Sequence, residues 1–165
     1  MVPEYGPAIF QKLNMPIPSK EYDPLTVPDR EKDIINYIFK NKPTSCPLYV
    51  NLATWEKISG FEKNLYLIGL VLEYSTSNID NIALLKNNFE NNYALDYIKN
   101  SFEYDISSEL VDGMNINYLP GIFKLYEHYS LSGDLNKAKR MKELGLIVAQ
   151  KGGQEWLDKA TQLLK

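Results

Sequence analysis

The sequence predicts an α+β fold that is mostly helical: a small sheet of two strands, or slightly more, is covered by helices and followed by a C-terminal helical hairpin. The chain has 165 residues with 44% hydrophobic content, which suits a single core. Two short apolar segments have the composition of strands, and later apolar residues recur at helical spacing. We expect one domain, 1–165, with a Pro-rich N-terminal strap (1–28), an α+β part (29–106), and the hairpin with a terminal helix (107–165).

The N-terminal strap is defined by its prolines. Six of the nine prolines lie in it: Pro3, Pro7, Pro16, Pro18, Pro24 and Pro28. A short helix is expected at Ala8 to Leu13, and 14–28 is expected to be ordered but irregular, because proline fixes φ and favours extended conformations before it. Seven apolar residues are expected to anchor the strap to the domain: Ile9, Phe10, Leu13, Ile17, Tyr22, Leu25 and Val27. Asp29 suits the N-cap of a three-turn helix that ends before Lys42.

Two segments carry strand signals. The first, Pro47 to Leu52, is β-branched and aromatic between turn signals, which predicts a strand. The second, Leu65 to Tyr74, is apolar on both faces, so its pattern fits a buried strand or a short core helix. Ser59-Gly60-Phe61-Glu62 offers a capping box for the helical alternative. We favour a strand at 66–74, preceded by a short helix near 53–63.

From Ile79 onward the pattern is helical. Asn78 suits the N-cap of a first helix, and asparagines at 87, 88, 91 and 92 weaken its end, so 79–106 is expected to form short helical pieces. A longer apolar stripe follows, made of Leu110, Val111, Met114, Tyr118, Ile122, Leu125, Tyr126 and Tyr129. Pro120 must bend this helix or begin a new one.

A helical hairpin is predicted to turn at Ser132-Gly133-Asp134. Gly133 suits a left-handed C-cap and Asp134 suits the next N-cap. The second helix is expected to stop at Gly152-Gly153, and a short amphipathic helix follows over 156–164. The residues that the second helix is expected to bury are Leu135, Ala138, Met141, Gly145 and Val148.

Composition excludes several classes of partner and site. The formal net charge of −3 and the pI of about 5.3 leave no basic surplus for a phosphate backbone, so nucleic acid is not an expected partner. The longest apolar run, Leu65 to Leu72, is far shorter than the ~20 residues of a spanning helix, so we expect no direct membrane insertion of this chain. One cysteine and one histidine do not make a structural zinc site, and we expect no metal and no cofactor.

Three features bear on catalysis. His128 has no motif nearby that supplies partners, so a solvated or hydrogen-bonding histidine is favoured over a ligand or base. Cys46 is favoured as a packed side chain over a reactive thiol. An acidic cluster lacks the pattern of a calcium loop and is favoured as a solvated helix face; it consists of Glu103, Asp105, Glu109 and Asp112. We therefore predict no catalytic residue and no enzymatic activity for this chain alone.

The hairpin resembles one tetratricopeptide repeat over 119–152. The resemblance is carried by the spacing of Leu125, Tyr129, Gly133-Asp134, Ala138 and Gly145. It implies a protein-binding role. The twelve tyrosines of the chain admit a binding face, because tyrosine is favoured at interfaces, but positions at core edges are favoured for most of them. An ordinary antiparallel helical hairpin is the alternative.

The order of the pieces resembles a larger protein family. The pieces are a helix closing on Asn41, a Pro47-Leu48-Tyr49-Val50 strand, a strand from Leu65 to Leu72, and a hairpin at Gly133-Asp134 followed by Lys137-Ala138. Together, over about 29–152, they resemble the C-terminal soluble region of the multi-spanning, protein O-mannosyltransferase-like membrane proteins of Bacteroidetes, which are related to GT-C glycosyltransferases. The resemblance implies that the catalytic carboxylates of the family lie in a membrane part outside this chain.

Two functional hypotheses follow. The resemblance implies a non-catalytic, extracytoplasmic (periplasmic) accessory domain of a membrane-anchored glycosyltransferase-like protein, whose partner is the membrane part of its own parent or another protein. The alternative is a free-standing tetratricopeptide-like protein-interaction module. A cytoplasmic location is the alternative to the periplasm, because the N-terminus lacks the features of a signal peptide.

Overall fold

The protein is described by a computed structural model that covers residues 6–16, 27–43, 45–54, 58, 60–99 and 106–165. These residues are mostly helical and include a three-stranded antiparallel sheet, which confirms the predicted α+β class. The chain divides into two compact units. The N-terminal unit comprises Met1–Tyr66 and Glu73–Asn78, and the C-terminal unit comprises Leu67–Leu72 and Ile79–Lys165. The single domain 1–165 stays a prediction.

The described part of the N-terminal strap packs on the helix that follows it. Helix α1 (Gly6–Lys12) confirms the predicted first helix, and its Phe10 is buried with its ring edge-on to Tyr37 at 5.9 Å. Tyr37 lies in α2 (Val27–Asn41), and its hydroxyl donates to the Pro16 carbonyl at 2.8 Å. The expected anchors Ile17, Tyr22 and Leu25 lie outside the described residues.

Helix α2 begins earlier than predicted. Its first residue is Val27, so Asp29 lies inside the first turn and the predicted N-cap at Asp29 is wrong. Pro28 is compatible with this start, because the N–H that proline lacks has no intrahelical partner in a first turn. The predicted end before Lys42 is confirmed.

The sheet has three strands in the order β1-β3-β2, one more than the two strands that the sequence assigns to named segments. Strand β1 (Leu48–Asn51) confirms the first predicted strand. The single strand at 66–74 is wrong, because β2 (Leu65–Leu67) and β3 (Val71–Tyr74) are separated by a turn in which the Ile68 N–H donates to the Val71 carbonyl.

The turn between β2 and β3 is fixed by residues from later in the chain. The Tyr93 hydroxyl accepts from the Leu70 N–H, and the Asn88 side-chain amide donates to the Ile68 carbonyl at 2.6 Å. Tyr93 occupies the space that a Cβ at Gly69 would need, so a larger residue at that position would displace the ring. These contacts hold the turn that separates β2 from β3, in a segment whose composition predicts one continuous strand.

The core of the N-terminal unit contains a cluster of three aromatic rings. The rings of Phe39, Phe61 and Tyr74 lie 4.8–5.8 Å apart. A short helix was predicted near 53–63, and in this region the described residues form a 3-10 turn at Glu62–Asn64. The Glu62 carboxylate accepts from the N–H of Gly60, two residues earlier. Residues 55–57 and 59 lie outside the described part.

The C-terminal unit begins with short helical pieces, as predicted. Helix α3 (Asn81–Asn87) is capped by Asp80, whose carboxylate accepts from the Ala83 N–H, so the predicted cap at Asn78 is wrong. A π-helical segment, Asn88–Asn92, continues it, and a 3-10 turn follows at Asp96–Lys99. Side-chain amides bridge consecutive turns of the π-helical segment, from residue 91 to 87 and from 92 to 88.

The predicted apolar stripe through 110–129 is only partly buried. Helix α4 (Ile106–Asn115) exposes Leu110 at 67% and Met114 at 62%, and it buries the polar Ser108 and Asn115 instead. The Tyr97 hydroxyl donates to the Asn115 side-chain oxygen at 2.6 Å, which explains why a polar residue faces inward. Pro120 is the second residue of α5 (Leu119–Ser132), so it begins a new helix.

Helices α5, α6 (Leu135–Gly152) and α7 (Gln154–Leu163) form the core of the C-terminal unit. The α5–α6 hairpin confirms the predicted turn, and its fully buried members include Ile122, Leu125 and Val148. Gly145 lets α6 approach its neighbours, since a Cβ there would lie 2.8 Å from Leu164 Cδ1 and 3.0 Å from Ile122 Cγ2. None of the helices in the described residues combines the length and apolarity that crossing a bilayer requires.

Candidate functional site

The turn between α5 and α6 is held by local hydrogen bonds. Gly133 adopts a left-handed conformation with φ of 79°, which favours glycine, and the Asp134 N–H donates to the Tyr129 carbonyl at 3.0 Å. The Asp134 carboxylate accepts from the Lys137 N–H at 3.2 Å and caps α6. Both ends of the connection are therefore satisfied by local hydrogen bonds.

Two leucines on either side of this turn are exposed. Leu131, in the last turn of α5, is 83% exposed, and Leu135, the first residue of α6, is 72% exposed. The expectation that α6 buries Leu135 is wrong, because the helix begins there and its buried face starts at Ala138. We call residues 130–142 the hairpin end. Its two leucines are exposed to solvent on a turn whose backbone is held by local hydrogen bonds.

A clamp of one buried tyrosine and two partly exposed charged side chains lies beneath the hairpin end. Tyr129 is 2% exposed, and its hydroxyl donates to Glu90 Oε1 at 2.5 Å, while Lys137 Nζ donates to the same oxygen at 2.9 Å. The ammonium groups of Lys137 and Lys86 also lie 5.3 and 5.8 Å from the centre of the Tyr129 ring. The clamp joins the π-helical segment that carries Glu90 to both helices of the hairpin.

The clamp shifts the acidity of its members. The hydrogen bond from Tyr129, followed by that from Lys137, holds the pKa of Glu90 below its ordinary value. Burial, together with the neighbouring Glu90 carboxylate, raises the pKa of Tyr129. The hydrogen bond to Glu90 raises the pKa of Lys137. Glu90 is thus kept ionised and both donors are kept protonated, which suits a structural role better than proton transfer at neutral pH.

Helix α6 differs in charge from the rest of the chain. It contains five basic residues (Lys137, Lys139, Arg140, Lys142 and Lys151) and one acidic residue (Glu143). This helix therefore carries +4 in a chain of net charge −3, which leaves −7 on the remaining residues.

The cations of the hairpin end are unequally neutralised. Lys139 is 77% exposed and lies 3.9 Å from Glu143, at the limit of an ion pair. Within the described part of the chain, no acidic side chain lies within ion-pair distance of Arg140 or Lys142. The hairpin end therefore presents exposed leucines beside cations that have few local counter-charges.

The residues considered for catalysis do not converge in the described structure. His128 is half-buried, with its ring edge-on to Tyr129 at 5.4 Å, and Cys46 is half-buried in the N-terminal unit. Glu109 is exposed, whereas Asp112 is half-buried and lies 3.8 Å from Lys151. Glu103 and Asp105 lie outside the described residues. A search of the described residues found no group of three histidine, cysteine or acidic side chains placed to hold a metal ion.

The tyrosines do not form a binding face in the described structure. Among the described tyrosines only Tyr49 is exposed, at 52%. Tyr118 is half-buried near Tyr97, and burial, with a further contribution from Tyr97, raises the pKa of Tyr118 to about 12. The aromatic contacts therefore belong mainly to the edges of the cores.

An apolar cavity in the N-terminal unit is a weaker candidate. Its volume is about 200 Å³, and it lies between α2 and β1. Its lining includes Ile35, Phe39, Leu48, Val50 and Ile58. Sites for drug-sized ligands are usually ~300–1,000 Å³ and contain convergent polar groups. This cavity is smaller and almost entirely apolar, so the hairpin end is the stronger candidate.

Comparison of the chain with protein-family models, curated proteins and solved structures gave no match. The class of the protein is therefore argued from its fold and its surfaces. These define a mostly helical α+β chain whose candidate functional feature is the leucine-bearing end of a helical hairpin.

Proposed function

We propose that this chain is a non-catalytic protein-interaction module that contacts another protein through its hairpin end. The observation that carries the proposal is the exposure of Leu131 and Leu135 on a turn held by local hydrogen bonds. When a partner covers exposed apolar side chains, their burial stabilises the complex by about 25 cal/mol for each Å² of apolar surface removed from water.

The clamp supports the proposal because it fixes the surface before a partner arrives. Glu90 holds Tyr129 and Lys137 together beneath the turn, so the leucines start from a defined arrangement. Binding through a preorganised surface avoids the entropic cost of ordering loops on association.

Site-specific photocross-linking in cells tests the proposal. A photoreactive residue at position 131 should give a discrete adduct with another protein, and the same residue at exposed position 162 in α7 should not. Leu135→Ser should abolish the adduct. Leu163→Ser, which alters a 58% exposed leucine outside the hairpin end, should leave the adduct unchanged. Adducts of equal yield from both positions, or an adduct insensitive to Leu135→Ser, would reject the proposal.

The second candidate is a non-catalytic accessory domain of a membrane-anchored glycosyltransferase-like protein. It is favoured by the order of elements: α2 closes at Asn41, β1 starts at Leu48, and the hairpin turns at Gly133 and Asp134 before Lys137. In this proposal the chain faces the periplasm, and its partner is the membrane part of its parent or another protein.

Two observations test the second candidate. Genomic DNA upstream of Met1 should encode membrane spans in frame, and an in-frame stop codon directly before Met1 with no such spans would end it. Protease added to spheroplasts should digest the chain if it faces the periplasm. Protection of the chain in intact spheroplasts would instead support the cytoplasmic alternative.

A further inference from the structure

We propose that the hairpin end binds an acidic segment of a partner protein in which apolar side chains alternate with carboxylates. This inference rests on the proposed function, since it names the chemistry of the partner. Three features of the C-terminal unit carry it: the charge of α6, the position of the leucines among the cations, and the negative charge of the rest of the chain.

The cations of α6 are suited to an external counter-charge. Arg140 and Lys142 have no acidic side chain within ion-pair distance in the described structure, and the Lys139 pair with Glu143 is long at 3.9 Å. Exposed pairs of this kind contribute little to folding, so these side chains can exchange a local partner for one on another protein at low cost. Their position in the first half of α6 adds the positive end of the helix dipole.

Leu135 shares one face of α6 with Lys139 and Lys142, and Arg140 lies further around the helix. Leu135 and Lys139 are four residues apart on α6, which places them on the same face of the helix. Leu131 lies on the other side of the turn, and the intervening Gly133 presents no side chain. An apolar centre with charged groups beside it is the usual arrangement of a protein-binding surface.

The partner is a protein segment rather than an anionic membrane, because the residues outside α6 carry a net charge of −7. Charges interact across about 8–10 Å at physiological salt. A flat anionic surface would meet acidic groups such as Asp134 and Glu127 along with the cations. A segment in which carboxylates alternate with apolar side chains can place its carboxylates beside the cations and its apolar groups around Leu131, Asp134 and Leu135. The same reasoning disfavours nucleic acid.

Fluorescence anisotropy with the full chain tests this chemistry. The probe is a labelled helical peptide of about four turns in which glutamates fill the exposed positions and leucines recur every three or four residues. Two control peptides replace the glutamates by glutamine or the leucines by alanine. The acidic leucine peptide should bind, both controls should bind more weakly, and binding should weaken as salt is raised.

Charge reversal on the protein locates the site. Arg140→Glu combined with Lys142→Glu should weaken peptide binding by about tenfold or more, since each change replaces attraction by repulsion. Lys32→Glu combined with Lys63→Glu is the matched control, because it reverses the charge of two exposed lysines in the N-terminal unit. It should leave binding within about twofold of the wild type. Circular dichroism of each variant checks that the fold is retained.

The outcomes separate this inference from the proposed function. Equal binding of the acidic and glutamine peptides would overturn the acidic partner. Equal effects of the reversal at Arg140 and Lys142 and of the control reversal at Lys32 and Lys63 would also overturn it. Failure of every peptide to bind would also overturn it. Binding to vesicles of three parts phosphatidylcholine to one part phosphatidylglycerol, without peptide binding, would assign a membrane instead. A photocross-link at position 131 that depends on Leu135 but not on Arg140 and Lys142 would retain the proposed function and reject the acidic partner.

Discussion

Replacing Gly145 by alanine should destabilise the C-terminal unit, although alanine is the better helix former. The exchange gains about 1 kcal/mol of helix propensity. It also places a Cβ 2.8 Å from Leu164 Cδ1 and 3.0 Å from Ile122 Cγ2, and both side chains are buried at 1% and 0% exposure. Overpacking of a core costs about 1–3 kcal/mol, and expulsion of Leu164 near the chain end would cost about 1.5–3 kcal/mol instead. The net destabilisation should therefore be up to about 2 kcal/mol.

Gly113 provides the matched control for this substitution. It lies inside α4, and a Cβ there would meet no atom within 4 Å, so Gly113→Ala should stabilise the protein by about 0.5–1 kcal/mol. Urea denaturation followed by circular dichroism gives both values from the midpoints when the slopes are equal. If Gly145→Ala stabilises the protein as much as Gly113→Ala, α6 does not approach its neighbours as described.

Four further predictions concern the C-terminal unit and its acid–base behaviour. Tyr129→Phe should lower the free energy of unfolding by about 1 kcal/mol at pH 7. Since the folded-state pKa of Glu90 lies below its unfolded value of about 4.3, that loss should be full above about pH 4.3 and shrink as the pH falls through the folded pKa. A loss that does not shrink at all in acid urea melts would contradict the clamp. Asp134→Ala should cost about 1 kcal/mol through the lost cap, and an unchanged thermal midpoint would mean that the cap contributes nothing. Ala138→Tyr should cost about 1–3 kcal/mol by overpacking the buried side of the hairpin, which a wild-type-like urea midpoint would disprove. Absorbance titration should detect a tyrosine ionising near pH 12 that disappears in Tyr118→Phe. Because burial raises this pKa, its stabilising effect is full below about pH 10 and is lost as the pH rises through about 12.

The α5–α6 hairpin was predictable because its signals are local. Gly133 and Asp134 specify the end of one helix and the start of the next within two residues. The N-terminal helix and β1 were predictable for the same reason, since turn residues bound short apolar runs. In each case the sequence and the backbone geometry are related within a single turn.

Features that depend on distant residues were missed. The β2–β3 turn depends on Asn88 and Tyr93, which lie 20 and 23 residues beyond the groups they bind, so composition alone suggested one strand. The buried face of α4 depends on Tyr97, 18 residues before its partner Asn115, and the apolar periodicity pointed to the opposite face. A hydrophobic pattern predicts that leucines are buried. Here polar partners elsewhere in the chain determine which face of α4 is buried and where the strand is interrupted.

The candidate site was predicted only in its framework. The hairpin was expected, but Leu135 was expected to be buried, and nothing in the sequence near Glu90 suggests a clamp. One signal was available: four basic residues fall within six positions of α6 in an otherwise acidic chain, and such a local excess of charge marks a surface with its own electrostatic character.

The Glu90 clamp also bears on the order of folding. It joins residues 39 and 47 positions apart, whereas the hairpin that it supports is closed by contacts within a few residues. Closing a longer loop costs more chain entropy, so the hairpin should form in the transition state while the clamp forms afterwards. Removal of the Tyr129 hydroxyl would then accelerate unfolding and leave the folding rate nearly unchanged. In this view the clamp prolongs the lifetime of the folded hairpin end, which a long-lived complex with a partner would require.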